Sequence, residues 1–171
     1  MGLPDETIER RPATDAEARA LASSLRLQIL RLTLDEALTN KEIAERVGRN
    51  PASVLHHVRT LVDTGFLRPE PVRRGARGSR EVPYRATGKS WQLELPNAGR
   101  AVLAAFLAEA QQAPPGTLQT TRLGLRLTED EVDELGSRLL EVLEEFRRRP
   151  ADPDAVPWSV FVALHPDAGR R

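Results

Sequence analysis

A chain of 171 residues, 40% of them hydrophobic, is long enough to bury one moderate core and carries room for one principal domain plus an appendage. It contains no cysteine, which excludes a disulfide scaffold, thiolate metal binding and thiol redox switching. Formal charge is zero overall, yet residues 40–90 hold eleven Lys or Arg against five Asp or Glu, so a net +6 sits mid-chain and −6 on the flanks.

The chain opens on MGLPDETIERR, which has neither an apolar h-region nor a cleavage signature, and no apolar run approaches the ~18 residues of a membrane span. A cytoplasmic protein with no membrane partner is expected. Residues 1–13, polar and interrupted by Pro4 and Pro12, read as a loose arm. Thr14 and Glu17 form a capping box that opens a helix through about Ala22, and Leu27, Leu30 and Leu34 place a core helix over residues 25–34. A second capping box, Thr39 with Glu42, opens a short helix over residues 41–47 whose apolar face is Ile43, Ala44 and Val47. Gly48 ends it, because a glycine enters the left-handed region at little cost.

Asn50 is then an N-cap and Pro51 stands at the first helical position, so another helix runs to about Asp63 and stops at Gly65. Val54, Val58 and Leu61 give it one buried stripe. The opposite face, with Asn50 at its start, presents Ala52, Ser53, His56, Arg59 and Thr60. Small and hydrogen-bonding side chains of this kind can approach base edges, and an arginine forked onto guanine O6 and N7 is worth roughly 1–3 kcal/mol of discrimination. Residues 66–71 and 81–87 read as two strands around the tip RRGARGSR. Arg73, Arg74, Arg77 and Arg80, interleaved with Gly75 and Gly78, make that tip a basic finger suited to phosphates or a minor groove.

Beyond a boundary at Leu95, Pro96 and Asn97, the run AGRAVLAAFLAEAQQA is a helix with Asn97 as its cap. Val102, Leu103, Phe106 and Leu107 offer more apolar surface than a lone helix can expose, so it packs either on its copy in a second subunit or within the chain. Residues 118–127 alternate Leu123, Leu125 and Leu127 with Gly124 and Arg126, a half-buried strand. Thr128 and Glu131 form a third capping box, and the helix behind it closes on Arg147, Arg148 and Arg149, with Val132, Leu135, Leu139, Leu143 and Phe146 as its inner face. After a proline-rich turn over residues 150–157, residues 158–164 read as a second strand. This strand, helix, strand unit is sized to shelter a small apolar effector or to cover a dimer seam.

No cofactor or metal set emerges. His56 and His57 are adjacent and point about 100° apart on a helix, so they cannot chelate one ion, and His165 has no partner nearby. Glu131, Asp133, Glu134, Glu141, Glu144 and Glu145 alternate with Arg138 on a solvated helix face. There is no Ser/His/Asp arrangement, no phosphate-cradling glycine loop and no HExxH, so no enzyme is expected.

Over residues 20–91 the segments LASSLRLQIL, KEIAERVGRNPASVLHHVRTLVDTGFL and the hairpin ending in YRATGKSW resemble the ArsR-type winged helix-turn-helix repressors of bacteria. The resemblance implies that the helix from Asn50 is the recognition helix, that Ser53, His56 and Arg59 are groove residues, and that residues 73–80 are wing contacts. It also implies dimers. This chain departs from the family in two ways: Leu55 stands where a small polar residue is common, so there it would read a thymine methyl or nothing, and the absent cysteines remove the thiolate metal sensor.

The expected architecture is α+β and mainly helical: an arm over 1–13, a winged helix-turn-helix domain over 14–95, a dimerisation-type helix over 96–115, and a strand-helix-strand unit over 116–171. The expected function is a homodimeric, sequence-specific regulator of transcription, a repressor, with double-stranded DNA as partner. The alternatives are a winged-helix protein-interaction module and a regulator whose C-terminal unit binds a small-molecule effector.

Overall fold

The capping boxes and the Asn50 cap read from the sequence all start helices in the computed structural model, which describes residues 10–75, 78–94, 99–150, 152 and 154–170. Thr14 and Glu17 open α1 (Asp15–Leu21), and Thr39 and Glu42 open α3 (Asn40–Arg46), each with the reciprocal pair of bonds in place. Asn50 accepts from the Ala52 N–H at the start of α4 (Pro51–Asp63), whose bounds are those expected. Between them α2 (Ser24–Leu32) starts a residue earlier and ends two residues before the 25–34 expectation. At the C-cap, the Thr33 hydroxyl donates at 2.9 Å to the Ile29 carbonyl, which also accepts from the Thr33 N–H at 3.2 Å.

These helices meet on one core. Leu21, Ile29, Ile43, Val54, Val58 and Leu61 are all fully buried, each contributing roughly 1.5–3 kcal/mol by leaving water. Leu38, Phe66 and Leu67 bring a small sheet onto the same core. In that sheet β6 (Pro83–Ala86) lies between β2 (Leu38–Thr39) and β3 (Leu67–Pro69), antiparallel to both, with Tyr84 opposite Leu38 and Ala86 opposite Leu67. Strand β2 had no signal in the sequence, since it is two residues long and precedes a cap directly.

The hairpin is present but each arm is interrupted. Its base is β3 with β6, and its outer part is β4 (Arg73–Arg74) paired with β5 (Arg80–Glu81). Pro69, Pro71 and Pro83 lack the N–H that a continuous ladder needs. The Glu70 N–H still reaches the Pro83 carbonyl at 2.8 Å.

The expected loose arm is corrected for its last residues. A 3-10 turn (Lys89–Gln92) leads into β7 (Leu93–Glu94), which pairs in parallel with β1 (Arg11–Pro12). Arg10 donates to the Leu93 carbonyl at 2.7 Å and the Ala13 N–H to the Glu94 carbonyl at 3.2 Å, so the backbone here is pinned. Residues 1–9 lie outside the described residues.

Helix α5 (Gly99–Ala110) packs on α2 of its own chain, burying Ala105 and placing Arg31 3.7 Å from Glu109. Leu103 and Leu107 remain exposed, so the apolar surface is only partly used by intrachain packing. The expected cap Asn97 lies outside the described residues.

Residues 115–170 form a second unit. It contains α6 (Glu129–Arg148), started by the Thr128 and Glu131 box as expected. The expected flanking strands are not formed: among the described residues no strand occurs at 118–127 or 158–164. Alternation specifies which face would be buried but supplies no edge to pair with, and Leu123 is 75% exposed. The expected inner face of α6 is likewise only half-buried at Leu135, Leu139 and Leu143, and Val132 and Phe146 are exposed. The guanidinium of Arg149 lies over the Phe146 ring at 3.7 Å.

Candidate nucleic-acid interface

The turn between α3 and α4 sets the pose of α4. Gly48, at φ 63°, reverses the chain, and the Arg49 N–H returns to the Ala44 carbonyl at 3.0 Å. The Asn40 amide donates to the Pro51 carbonyl at 2.9 Å, which ties the first turn of α3 to the first turn of α4. With Val54, Val58 and Leu61 buried against the core, the rotation of α4 about its axis is fixed.

Its outer face is then determined. Ala52, Ser53, His56 and Arg59 are exposed, as the sequence pattern requires. Thr60 is half-buried and its hydroxyl donates to the His56 carbonyl at 3.0 Å, so its proton is already used. Asn50 is exposed, with its carbonyl oxygen committed to the cap and its amide open. Leu55 is half-buried on the flank of this face.

His57 turns inward. Its Nδ1 lies 3.4 Å from the Arg26 guanidinium, whose other nitrogens donate to the Arg19 and Ala20 carbonyls at the end of α1. Burial, then Arg26, then His56 lower the His57 pKa, and the Arg26 guanidinium, which can only donate, faces Nδ1.

Arg73, Arg74 and Arg80 of the wing are exposed, and Arg77 lies outside the described residues. Arg73 is partly engaged: its guanidinium meets the Glu42 carboxylate at 2.5 Å and lies 3.9 Å from Glu81. The ion pair ties the wing to α3. The Glu42 carboxyl is held below its usual range, first by the Thr39 N–H and less by Arg73. In the β4 and β5 pair Arg74 stands directly opposite Arg80. Like charges facing across a ladder are unfavourable unless an anion joins them. Val72, Arg73, Arg74, Gly78 and Arg80 line a shallow hollow there.

One functional support was not visible in the sequence. Glu17, 5% exposed, accepts from Arg11 at 2.7 and 2.9 Å, from Lys89 at 2.8 Å and from the Thr14 N–H at 2.8 Å. Lys89 also donates to the Thr64 carbonyl at 2.7 Å and lies over the Phe66 ring at 5.2 Å. The cluster locks the end of α4 to α1 and to the base of the wing. Glu17 was legible only as a cap, since its cationic partners lie 6 residues before and 72 residues after it.

Among the described residues no group of three or more His, Asp or Glu is placed to hold a metal ion, and no helix is long and apolar enough to cross a membrane.

Residues 21–70 match the family model described as a helix-turn-helix domain. Solved structures similar to this chain include reduced HlyU from Vibrio cholerae, at 23% identity over 54% of this chain and 84% of that one, with a TM-score of 0.34. The homodimeric winged helix-turn-helix DNA-binding domain of Mb0332 from Mycobacterium bovis, described as a possible ArsR-family regulator, matches at 25% identity over 54% and 75%, with a TM-score of 0.35. A mutant of MepR from S. aureus bound to an oligodeoxyribonucleotide matches at 16% identity over 78% and 79%, with a TM-score of 0.32. No curated protein matches the chain.

Helices α3 and α4, their glycine turn and the hairpin that follows have the arrangement of a winged helix-turn-helix, and the helix-turn-helix family model matches within it, over residues 21–70. The resemblance to the ArsR type, carried by residues 20–91, falls on the same stretch as this helix-turn-helix match.

Proposed function

We propose that this protein binds double-stranded DNA sequence-specifically as a homodimer and represses transcription. Ser53, His56 and Arg59 read base edges in the major groove, with Ala52 allowing close approach and Asn50 and Thr60 at the margins. Arg74, Arg77 and Arg80 hold phosphates or the minor groove, and Arg73 shares its charge between Glu42 and the backbone of the duplex. The observation that carries the reading is the pose of α4: one stripe is sealed into the core, leaving Ser53, His56 and Arg59 open, and the Arg73–Glu42 pair ties the basic wing to its partner helix. Leu103 and Leu107 on α5 supply the surface for the second subunit. Without cysteine, the regulator is not a thiolate metal sensor.

Selection from random duplexes tests it. The expected outcome is an enriched sequence with two-fold symmetry and half-sites about 34–36 Å apart, one helical turn. Selection that enriches no sequence would overturn the reading.

A further inference from the structure

The wing arginines are not all in one state. Arg73 stands opposite Glu81 in the β4 and β5 pair, and its guanidinium faces two carboxylates: Nη2 lies 2.5 Å from Glu42 Oε1 and Nε lies 3.9 Å from Glu81 Oε2. Glu81 runs along the tip in the space left by Gly75, where a Cβ would push its carboxylate aside. Among the described residues Arg74 and Arg80 form no ion pair, so their charge is open to a phosphate while that of Arg73 is engaged.

Glu42 divides its two oxygens between two tasks. Oε2 accepts from the Thr39 N–H at 2.7 Å and from the Thr39 hydroxyl at 2.9 Å, closing the capping box of α3, and Oε1 is left for Arg73. The helix itself therefore holds the carboxylate in place for the wing. To a guanidinium it offers the charge and the paired oxygens of a phosphate, and the N–H donors that it occupies cannot serve a phosphate at the same time. The Arg73 and Glu42 side chains are 42% and 37% exposed, and an ion pair so open to water is worth little. A duplex backbone can displace it.

We propose that Glu42, assisted by Glu81, is a built-in competitor for Arg73: the free protein keeps the wing latched to α3 through this carboxylate, and a duplex backbone must take its place. The inference rests on the binding of a duplex and not on the reading of bases. The latch lowers affinity for every sequence alike, and it makes Arg73 contribute less to the salt dependence than Arg74 or Arg80.

Anisotropy titrations of the full chain with a labelled duplex of mixed sequence, over a range of salt concentrations, test it through a double-mutant cycle of Glu42→Gln and Arg73→Ala. Glutamine keeps an acceptor for the Thr39 cap and removes the charge that holds Arg73. Glu42→Gln is expected to tighten binding about threefold and to steepen the slope of log affinity against log salt by up to about 0.9, the share of one phosphate. In the Arg73→Ala background most of that gain should disappear. Glu81→Gln, which leaves the cap of α3 untouched, should act in the same direction, and it decides alone if Glu42→Gln does not fold. A gain of equal size with and without Arg73 would mean that only the overall charge had changed and would overturn the proposal, as would unchanged or weaker binding in Glu42→Gln. Duplex binding without this coupling defeats the latch and leaves the DNA reading standing, whereas no duplex binding by the unmodified chain or any variant defeats both.

Discussion

Lys89 and Glu17 form a 2.8 Å ion pair in which the carboxylate is almost wholly buried, and through it the residue that follows the wing is joined to the first helix. The lysine also donates to the Thr64 carbonyl at the end of α4, so the recognition helix, the wing and α1 share one electrostatic joint. Glu17→Gln keeps the shape but leaves Arg11 and Lys89 facing a neutral amide. A stability loss of about 1–3 kcal/mol is expected in urea unfolding, with the slope of the transition unchanged.

Acid should open the same joint. Arg11 first, then Lys89, hold the Glu17 carboxyl well below its ordinary range. A carboxyl depressed in the folded state contributes stability above its unfolded pKa of ~4.3 and loses it as pH falls toward the folded value, because the unfolded chain takes the proton first. Glu42 and Glu131 are shifted the same way. The melting temperature should therefore decline below about pH 5. Glu17→Gln should flatten that decline, and an unaltered profile would mean that Glu17 does not drive it.

His57 makes a separate contribution nearer neutrality. Its pKa is lowered, by burial above all, so between the folded value and the unfolded ~6.5 the unfolded chain binds the proton that the folded chain refuses. Stability is full above that range and falls as pH drops through it. Urea titrations of His57→Gln between pH 7.5 and 5 should show a weaker pH dependence than the unmodified protein.

Gly48 turns α3 into α4 at φ 63°, with open space where a side chain would stand. Gly48→Ala therefore meets no clash and costs only the strain of a left-handed alanine, about 1–2 kcal/mol. Thermal unfolding measures it, and a neutral effect would mean that the turn relaxes elsewhere.

The wing arginines should act without regard to sequence. Arg74→Ala and Arg80→Ala are each expected to weaken binding to all duplexes alike. Each should also reduce the slope of log affinity against log salt by about 0.9 for every phosphate that the arginine had neutralised. Anisotropy titrations over a range of salt concentrations read this directly.

Much of the winged helix was legible because its signals are local. Capping boxes at Thr14, Thr39 and Thr128, the Asn50–Pro51 start and the Gly48 turn each need only a few neighbouring residues, and all appear in the structure. The outer face of α4 followed from the same periodicity that buried Val54 and Val58. Long-range pairings were not legible: nothing local tells Arg11 that it will meet Glu17 beside Lys89, or Arg73 that it will reach Glu42. The strands expected at 118–127 and 158–164 failed for the opposite reason. Alternation was real there, but a strand also requires a backbone ladder, which alternation does not specify, and among the described residues no strand forms at either place.

Whether the open face of α4 reads bases is decided by the binding preferences of Arg59→Ala over a set of duplexes varied one base pair at a time. The predicted result is a loss of discrimination of about 1–3 kcal/mol at one position per half-site, with preferences elsewhere intact. An unchanged preference at every position, in a variant that folds and still binds, would contradict it.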